Sequence, residues 1–419
     1  MPLDRRDFLA HTGLALAAAG LIGPEALAAD TELEASAPLT WPAVRKQFRL
    51  RRDLVHLGGF LLASHPTPVR LAIEHHRAQL DADPVGYLHG EQNVLEAAVL
   101  RAAASYTGGR AADIALTDST TMGLSLLYNG IDLRAGQEAL TSTHDFFVTH
   151  EALRLKAERT GAIVKMIPLY DESSAAGADE IVRRVVAAVS PRTRVLALTW
   201  VHSSTGVKLP IRKLADALVP LNAGRSEADR ILFCVDGVHG FGNQNARLPD
   251  LGCDFFVSGC HKWLFGPRGT GLVWGKRWDH VTTTIPSFTD TGTVGGKMTP
   301  GGFHSFEHRW ALAEAFRFQQ RIGKARVAAR TQALNRQFKA GLAALPKVTT
   351  YTPRSDALSA GLVCFDVKGI PPEQVVAYLL ARGIVATVTP YTPSYARVSP
   401  SILNTPAEIQ RTLRALNAF

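Results

Sequence analysis

The chain has 419 residues, of which 46% are hydrophobic and 20% charged. At about 150 residues per domain that gives roughly two to three domains, enough to bury a sizeable core, and it excludes wholesale disorder. With 35 Gly and 23 Pro it is neither a coiled coil nor a collagen-like rod. A net charge of +9 raises the question of nucleic acid. The basic residues, however, form short clusters such as Arg51-Arg52 and Arg183-Arg184 rather than a stripe, so the reading is a solvated basic surface with no nucleic-acid partner.

The first residues read as an address rather than as fold. Arg5 and Arg6 are followed by Asp7, Phe8 and Leu9, which resembles the twin-arginine export signature. The apolar stretch from Thr12 to Ile22 is too short to cross a hydrocarbon layer of about 30 Å. Ala26-Leu27-Ala28 places small residues at the −3 and −1 positions, so cleavage is expected after Ala28. Residues 1–28 are thus expected to be a twin-arginine signal peptide, engaging that export machinery and crossing the membrane folded. The product is expected to be periplasmic or secreted, with no stable membrane span. Four cysteines, Cys234, Cys253, Cys260 and Cys364, are few for this length and are read as buried thiols.

Further along, apolar runs alternate with helix-period stretches. Strands are predicted at Ile114–Thr117, Glu138–Ser142, Ile163–Pro168, Val195–Val201, Ile231–Val235, Phe255–Ser258 and Gly271–Trp274. Between them, Met122–Asn129, Thr149–Thr160, Ala178–Val189 and Leu209–Leu218 read as helices. This is the alternation of a mainly parallel sheet wrapped by helices. The style changes after a Gly- and Thr-rich loop at 292–302. One long helix is predicted over about Trp310–Ala344, then strand Leu362–Val367, helix Pro372–Arg382, strands Ile384–Val388 and Ala396–Ser399, and helix Pro406–Ala418. The organisation expected is an N-terminal segment at 29–56, a large α/β domain at 57–300 and a smaller α+β domain at 301–419.

The sharpest chemical signal lies between Ile231 and Lys262. A buried strand ends in Asp236, followed by GVHGFG; a second, DFFVSG, leads into Cys260-His261-Lys262-Trp263 and GPRGTG. An Asp and a Lys at the carboxyl ends of parallel strands point into the crevice where such sheets bind ligands. A desolvated lysine amine has its lone pair freed for a Schiff base, and a carboxylate beside a pyridine nitrogen keeps that ring an electron sink. Upstream, Ser119-Thr120-Thr121 between a strand and a helix is an N-cap run, and also a place where hydroxyls and free amides hold a phosphate.

With these residues in view, DGVHG followed by SGCHKWLFGPRGTG resembles the pyridoxal-phosphate (PLP) enzymes of the class V aminotransferase family, in the isopenicillin N epimerase-like branch, over nearly all of the chain from Leu57. The resemblance implies the fold type I architecture: a large domain with a mainly parallel seven-stranded sheet between helices, plus the small α+β domain. It implies Lys262 as the Schiff-base lysine, Asp236 as partner of the ring nitrogen and His239 near the ring hydroxyl. Thr120, Thr121, Ser258 and His261 would hold the phosphate. Phe146, in Thr143-His144-Asp145-Phe146-Phe147, would stack on the ring, with Phe147 as its competitor. Ser203 would face the ring oxygen or substrate, and His202 is left unassigned. Arg397, in Ala396-Arg397-Val398-Ser399-Pro400, would grip a substrate carboxylate. No metal ligand set is expected, and a homodimer is.

Two departures from the family pattern stand out. Phe306-Glu307-His308-Arg309-Trp310 replaces a segment whose Thr reaches the partner's phosphate, so His308 is a candidate for that contact. Gly383–Thr392, GIVATVTPYT, lacks the nucleophilic Cys that a cysteine desulfurase needs there. The function implied is a PLP enzyme acting on an amino acid or similar amine. Epimerase or racemase chemistry comes first and aminotransferase or C–S/C–N lyase chemistry second. A non-catalytic amine-binding protein comes last.

Overall fold

The computed structural model describes residues 39–287 and 292–419. The expected signal peptide and its cleavage site lie outside the described residues. Leu39–Phe419 forms one compact unit, and its described residues gather into four apolar clusters.

The strands are β1 (Val55–His56), β2 (Ile114–Thr117), β3 (Glu138–Ser142), β4 (Ile163–Ile167), β5 (Thr193–Thr199), β6 (Leu232–Asp236), β7 (Phe255–Gly259), β8 (Gly271–Gly275), β9 (Val348–Thr350), β10 (Val363–Val367), β11 (Ile384–Val385), β12 (Thr387–Val388) and β13 (Ala396–Val398). The main helices are α1 (Thr67–Ala82), α2 (Pro84–Thr107), α3 (Thr120–Gly130), α4 (Phe147–Thr160), α5 (Ala178–Ala188), α6 (Ile211–Asn222), α7 (Phe306–Ile322), α8 (Lys324–Ala343), α9 (Pro372–Leu380) and α10 (Pro406–Asn417).

Seven strands form one sheet in the order β2-β8-β7-β6-β5-β3-β4. All neighbours are parallel except β8, which runs antiparallel to both β7 and β2. Every position of β5 and β6 is buried, as central strands covered on both faces require. The two-residue period sorts β7: Phe255 and Val257 pack with Leu124 and Leu127 of α3, while Phe256 packs with Trp200, Phe241 and Phe316 on the other face.

The C-terminal core is built on a four-stranded antiparallel sheet, β12-β13-β10-β9, with Leu334 and Phe338 of α8 and Ile409 and Leu413 of α10 packed into it. β1 pairs in parallel with β11, so the chain segment just before residue 57 is stitched to C-terminal elements. Val44 and Phe48 pack with Phe265, Phe318 and Ile402, which ties the N-terminal segment to both parts.

Three elements differ from expectation. The single helix expected over Trp310–Ala344 is two, α7 and α8, broken at Gly323, whose φ of +94° leaves the helical region. The strand expected over Ile384–Val388 is split, its halves pairing with different strands. Helices α1 and α2, which pack on α7, are additional to the expected set. All four cysteines are buried free thiols, as expected. No helix among the described residues is long and apolar enough to cross a membrane.

Candidate active site

A cavity of about 170 Å³ opens at the carboxyl ends of the parallel strands. It gathers Thr120, Thr121, Phe146, Ser203, Asp236, His239, His261, Lys262 and Arg397, nine of the ten residues singled out in the sequence. Thr199, Phe60 and Leu61 also line it.

Asp236 is the last residue of β6 and is 2% exposed. Its Oδ1 accepts the Val238 N–H at 3.0 Å. Burial raises its pKa to about 6, while the Val238 bond and the Lys262 charge pull it back. Lys262 follows β7 at the start of the eleven-residue loop into β8. Burial lowers its amine to about 8; Asp236 opposes that shift and Arg397 adds to it. The turn at Lys262 is closed by the Phe265 N–H on the Lys262 carbonyl (3.0 Å) and the Gly266 N–H on the Cys260 carbonyl (2.8 Å). Phe265 sits at φ +62°, a left-handed conformation costly for a non-glycine, and is held there by edge packing on Phe48. Gly242 shows why the two loops can meet. A Cβ there would lie 2.5 Å from backbone atoms of Trp263 and Leu264, so glycine lets the loop after Asp236 close on the Lys262 turn.

The N-terminus of α3 supplies the anion end. Ser119 caps the helix by accepting the Met122 N–H at 3.1 Å. The amides of Thr120 and Thr121 have no intrahelical acceptor, the first helical bond being Gly123 N–H to the Ser119 carbonyl, and they carry the positive end of the helix dipole. Thr120 Oγ1 accepts the Gly259 N–H at 2.7 Å, which fixes its hydroxyl and leaves the proton to donate elsewhere. His261 Nδ1 is buried with no partner of its own. Burial, with Lys262 beside it, lowers the pKa of that ring.

His239 is buried and its pKa is pushed well below the ordinary value by burial, Lys262 and Arg397. The Trp263 indole, a donor only, donates to Nδ1 at 3.4 Å, which assigns the proton of the neutral ring to Nε2. Phe146 lines the cavity just ahead of α4, whereas Phe147 is 62% exposed and is not on its wall. His202 lies beneath, fully buried, its Nδ1 2.9 Å from the Tyr170 hydroxyl.

Ser258 is the sequence-selected residue that the structure does not bring to the cavity. The strand alternation turns it to the Phe256 face of β7, and its hydroxyl donates to the Gly259 carbonyl at 2.9 Å. His308 lies apart from the cavity lining, its Nδ1 2.9 Å from the Arg268 carbonyl.

The small-domain wall carries Arg397 on β13. It is 4% exposed and lies over the Phe60 ring at 4.4 Å. Nη1 donates to the Ser203 carbonyl at 2.7 Å and Nε to Thr387 Oγ1 at 3.2 Å. Among the described residues no carboxylate pairs with this guanidinium within 4 Å. Sequence reasoning missed three site residues. Thr199 ends β5 as Asp236 ends β6, so the strand-end rule could have found it. Phe60 and Tyr391 carry no local signal; Tyr391 reaches the site through a 2.6 Å hydrogen bond to Ser203 Oγ.

The donor set fits pyridoxal phosphate. An amine of lowered pKa, a buried carboxylate, a helix N-terminus with two hydroxyls and a buried unpartnered His261 Nδ1 match an aldehyde, a ring nitrogen and a phosphate.

Comparison with known proteins agrees with this geometry. Residues 92–412 match the family model described as aminotransferase class-V. Isopenicillin N epimerase of Streptomyces clavuligerus is 28% identical over 90% of this chain and 98% of its own length. A cysteine desulfurase of Klebsiella pneumoniae is 24% identical over 77% and 81%. Among solved structures, a complex of the cystine C–S lyase C-DES with its product cysteine persulfide superposes with a TM-score of 0.80 at 21% identity, covering 88% of this chain and 98% of that one. A cysteine desulfurase from Thermococcus onnurineus NA1 does so at 0.79 and 19%, covering 92% and 99%. These likenesses show the α/β fold with its mainly parallel central sheet and smaller C-terminal part. The family match over most of the sequence gives the assignment: the chain belongs to the class-V aminotransferase family.

Proposed function

We propose that this is a PLP-dependent enzyme that moves the α-proton of an amino acid, with epimerisation or racemisation as the outcome. The observation that carries the substrate class is Arg397. A buried cation without a counter-charge is costly, and an amino acid's carboxylate offers the planar, two-pronged partner that a guanidinium fits. When bound, PLP supplies an electron sink at the reacting carbon. Lys262 would hold it through its amine and, once displaced by substrate, act as general base, a task suited to a pKa brought down toward neutrality. Asp236 would keep the ring nitrogen protonated. Thr120, Thr121, His261 and the α3 amides would take the phosphate, Phe146 the ring face, and His239 and Ser203 the ring-oxygen side.

Epimerisation is favoured because two isopenicillin N epimerases, from Streptomyces clavuligerus and Amycolatopsis lactamdurans, each align over 98% of their length. The second reading is transamination or C–S/C–N elimination, favoured by the cysteine desulfurase relatives and served by the same residues. A persulfide-forming desulfurase is disfavoured: every cysteine is buried, and burial raises the Cys364 and Cys253 thiols to about 12. An amino-acid screen in D₂O separates the outcomes. Deuterium at Cα with inversion and no keto acid supports the proposal. A keto acid moves the assignment to the second reading, and no turnover by PLP-loaded protein supports the amine-binding one.

Exposed Leu61 at the cavity mouth, with exposed Leu62 and Phe147, supports a homodimer, which light scattering tests. A site at such an interface would also give His308 a partner's phosphate to reach. Arg5-Arg6 and Ala26-Leu27-Ala28 support twin-arginine export to the periplasm or medium; paired Arg5→Lys and Arg6→Lys changes should leave the protein in the cytoplasm.

A further inference from the structure

Ser203 is held by two side chains of the small domain. Arg397 Nη1 donates to its carbonyl at 2.7 Å, and the Tyr391 hydroxyl lies 2.6 Å from its Oγ. Tyr391 follows Pro390, which lines the cavity, and its ring meets that of Phe146 edge-on at 6.2 Å. Ser203 itself lines the cavity and is only 7% exposed.

The direction of the Tyr391–Ser203 bond decides what Ser203 offers to the cavity. A phenol is far more acidic than an alkyl hydroxyl, and the more acidic partner donates. Burial pushes the Tyr391 phenol up to about 12, so it keeps its proton at neutral pH and has one to give. Ser203 Oγ is then the acceptor, which leaves its own proton for a second acceptor on the cavity side, where Ser203 forms part of the wall. A hydroxyl pinned in this way is a directed donor instead of a free rotor.

We infer that Tyr391 is a positioning residue: it fixes Ser203 as a hydrogen-bond donor toward the ring oxygen of pyridoxal phosphate. The ring oxygen is the acceptor assigned to Ser203, shared with His239 on the same wall; the nitrogen is met by Asp236, the phosphate by the α3 terminus and the aldehyde by Lys262. This rests on the proposed cofactor.

The test measures the affinity of cofactor-free protein for pyridoxal phosphate and for its 3-deoxy analogue, which lacks that oxygen, in the wild type and in the Tyr391→Phe, Ser203→Ala and double variants. Tyr391→Phe and Ser203→Ala should each weaken pyridoxal phosphate by about tenfold. The double variant should be no worse than either, because the two act in series. All three should bind the analogue as the wild type does, and Ser203→Thr should restore most of the lost affinity. The inference is overturned if Tyr391→Phe binds pyridoxal phosphate like the wild type. It is equally overturned if the single effects multiply, or if both ligands weaken alike, as a merely structural role would give. Should the wild type itself fail to take up pyridoxal phosphate, the proposed function falls instead.

Discussion

The two walls of the cavity are built differently. The large-domain wall hangs from the long hydrogen-bonded sheet: Asp236 ends β6, Lys262 follows β7 by three residues, and Thr120 and Thr121 open an eleven-residue helix. The small-domain wall is carried by two- and three-residue strands and the loop between them, which bring in Pro390, Tyr391 and Arg397. The first wall is fixed by its own backbone. The second depends on what its side chains grip, above all Ser203. Under the proposed function this is a division of labour: proton and cofactor chemistry would fall to the sheet-borne wall, and substrate recognition to the wall that relies on cross-domain contacts.

Substitutions on the two walls should therefore fail in different ways. Arg397→Ala should raise the KM for an amino-acid substrate about 10²-fold while leaving cofactor absorbance in place. Loss of cofactor uptake instead would erase the distinction. Asp236→Asn should lower kcat with little change in KM, and it should leave a pH signature in stability. The folded-state pKa of Asp236 is raised to about 6 from an ordinary 3.8. Its favourable contribution is thus full below about pH 4 and lost as pH rises through 6. Relative to the wild type, cofactor-free Asp236→Asn should gain about 2 kcal/mol between pH 4 and pH 7, read by urea unfolding. A constant difference across that range would contradict a carboxylate whose burial outweighs its Val238 and Lys262 partners. The smallest effect is expected at Ser258→Ala. Its hydroxyl serves the Gly259 carbonyl and not the cavity, so cofactor affinity should stay within about twofold and stability should fall by roughly 1 kcal/mol.

The rigid wall was also the legible one. Continuous apolar runs mark β5 and β6 because both faces are covered, and a strand that ends in Asp announces its crevice. The resemblance then supplied roles for Lys262 and for the Thr120-Thr121 hydroxyls. The other wall left weaker traces. Arg397 was visible as part of a motif, yet its Phe60 contact joins residues far apart in the chain, and Tyr391 meets the site through Ser203 and Phe146, both distant in sequence. Periodicity could not separate Phe146 from Phe147, since the decision rests on where the chain enters α4. It also ran α7 into α8, because one glycine is tolerated inside many helices and only its φ shows a break. Helix α2, by contrast, carried a readable start in Asp83-Pro84, where Asp83 caps the first turn by accepting the Gly86 N–H at 2.9 Å.

The central claim is that the Lys262 amine is where the cofactor attaches, and it can be tested without knowing the substrate. Protein loaded with pyridoxal phosphate is reduced with borohydride, digested, and its phosphopyridoxyl peptide identified by mass spectrometry. One stoichiometric label on the peptide containing Lys262, absent from Lys262→Ala, is the predicted result. A label on another lysine, or undiminished labelling of the variant, would contradict the account.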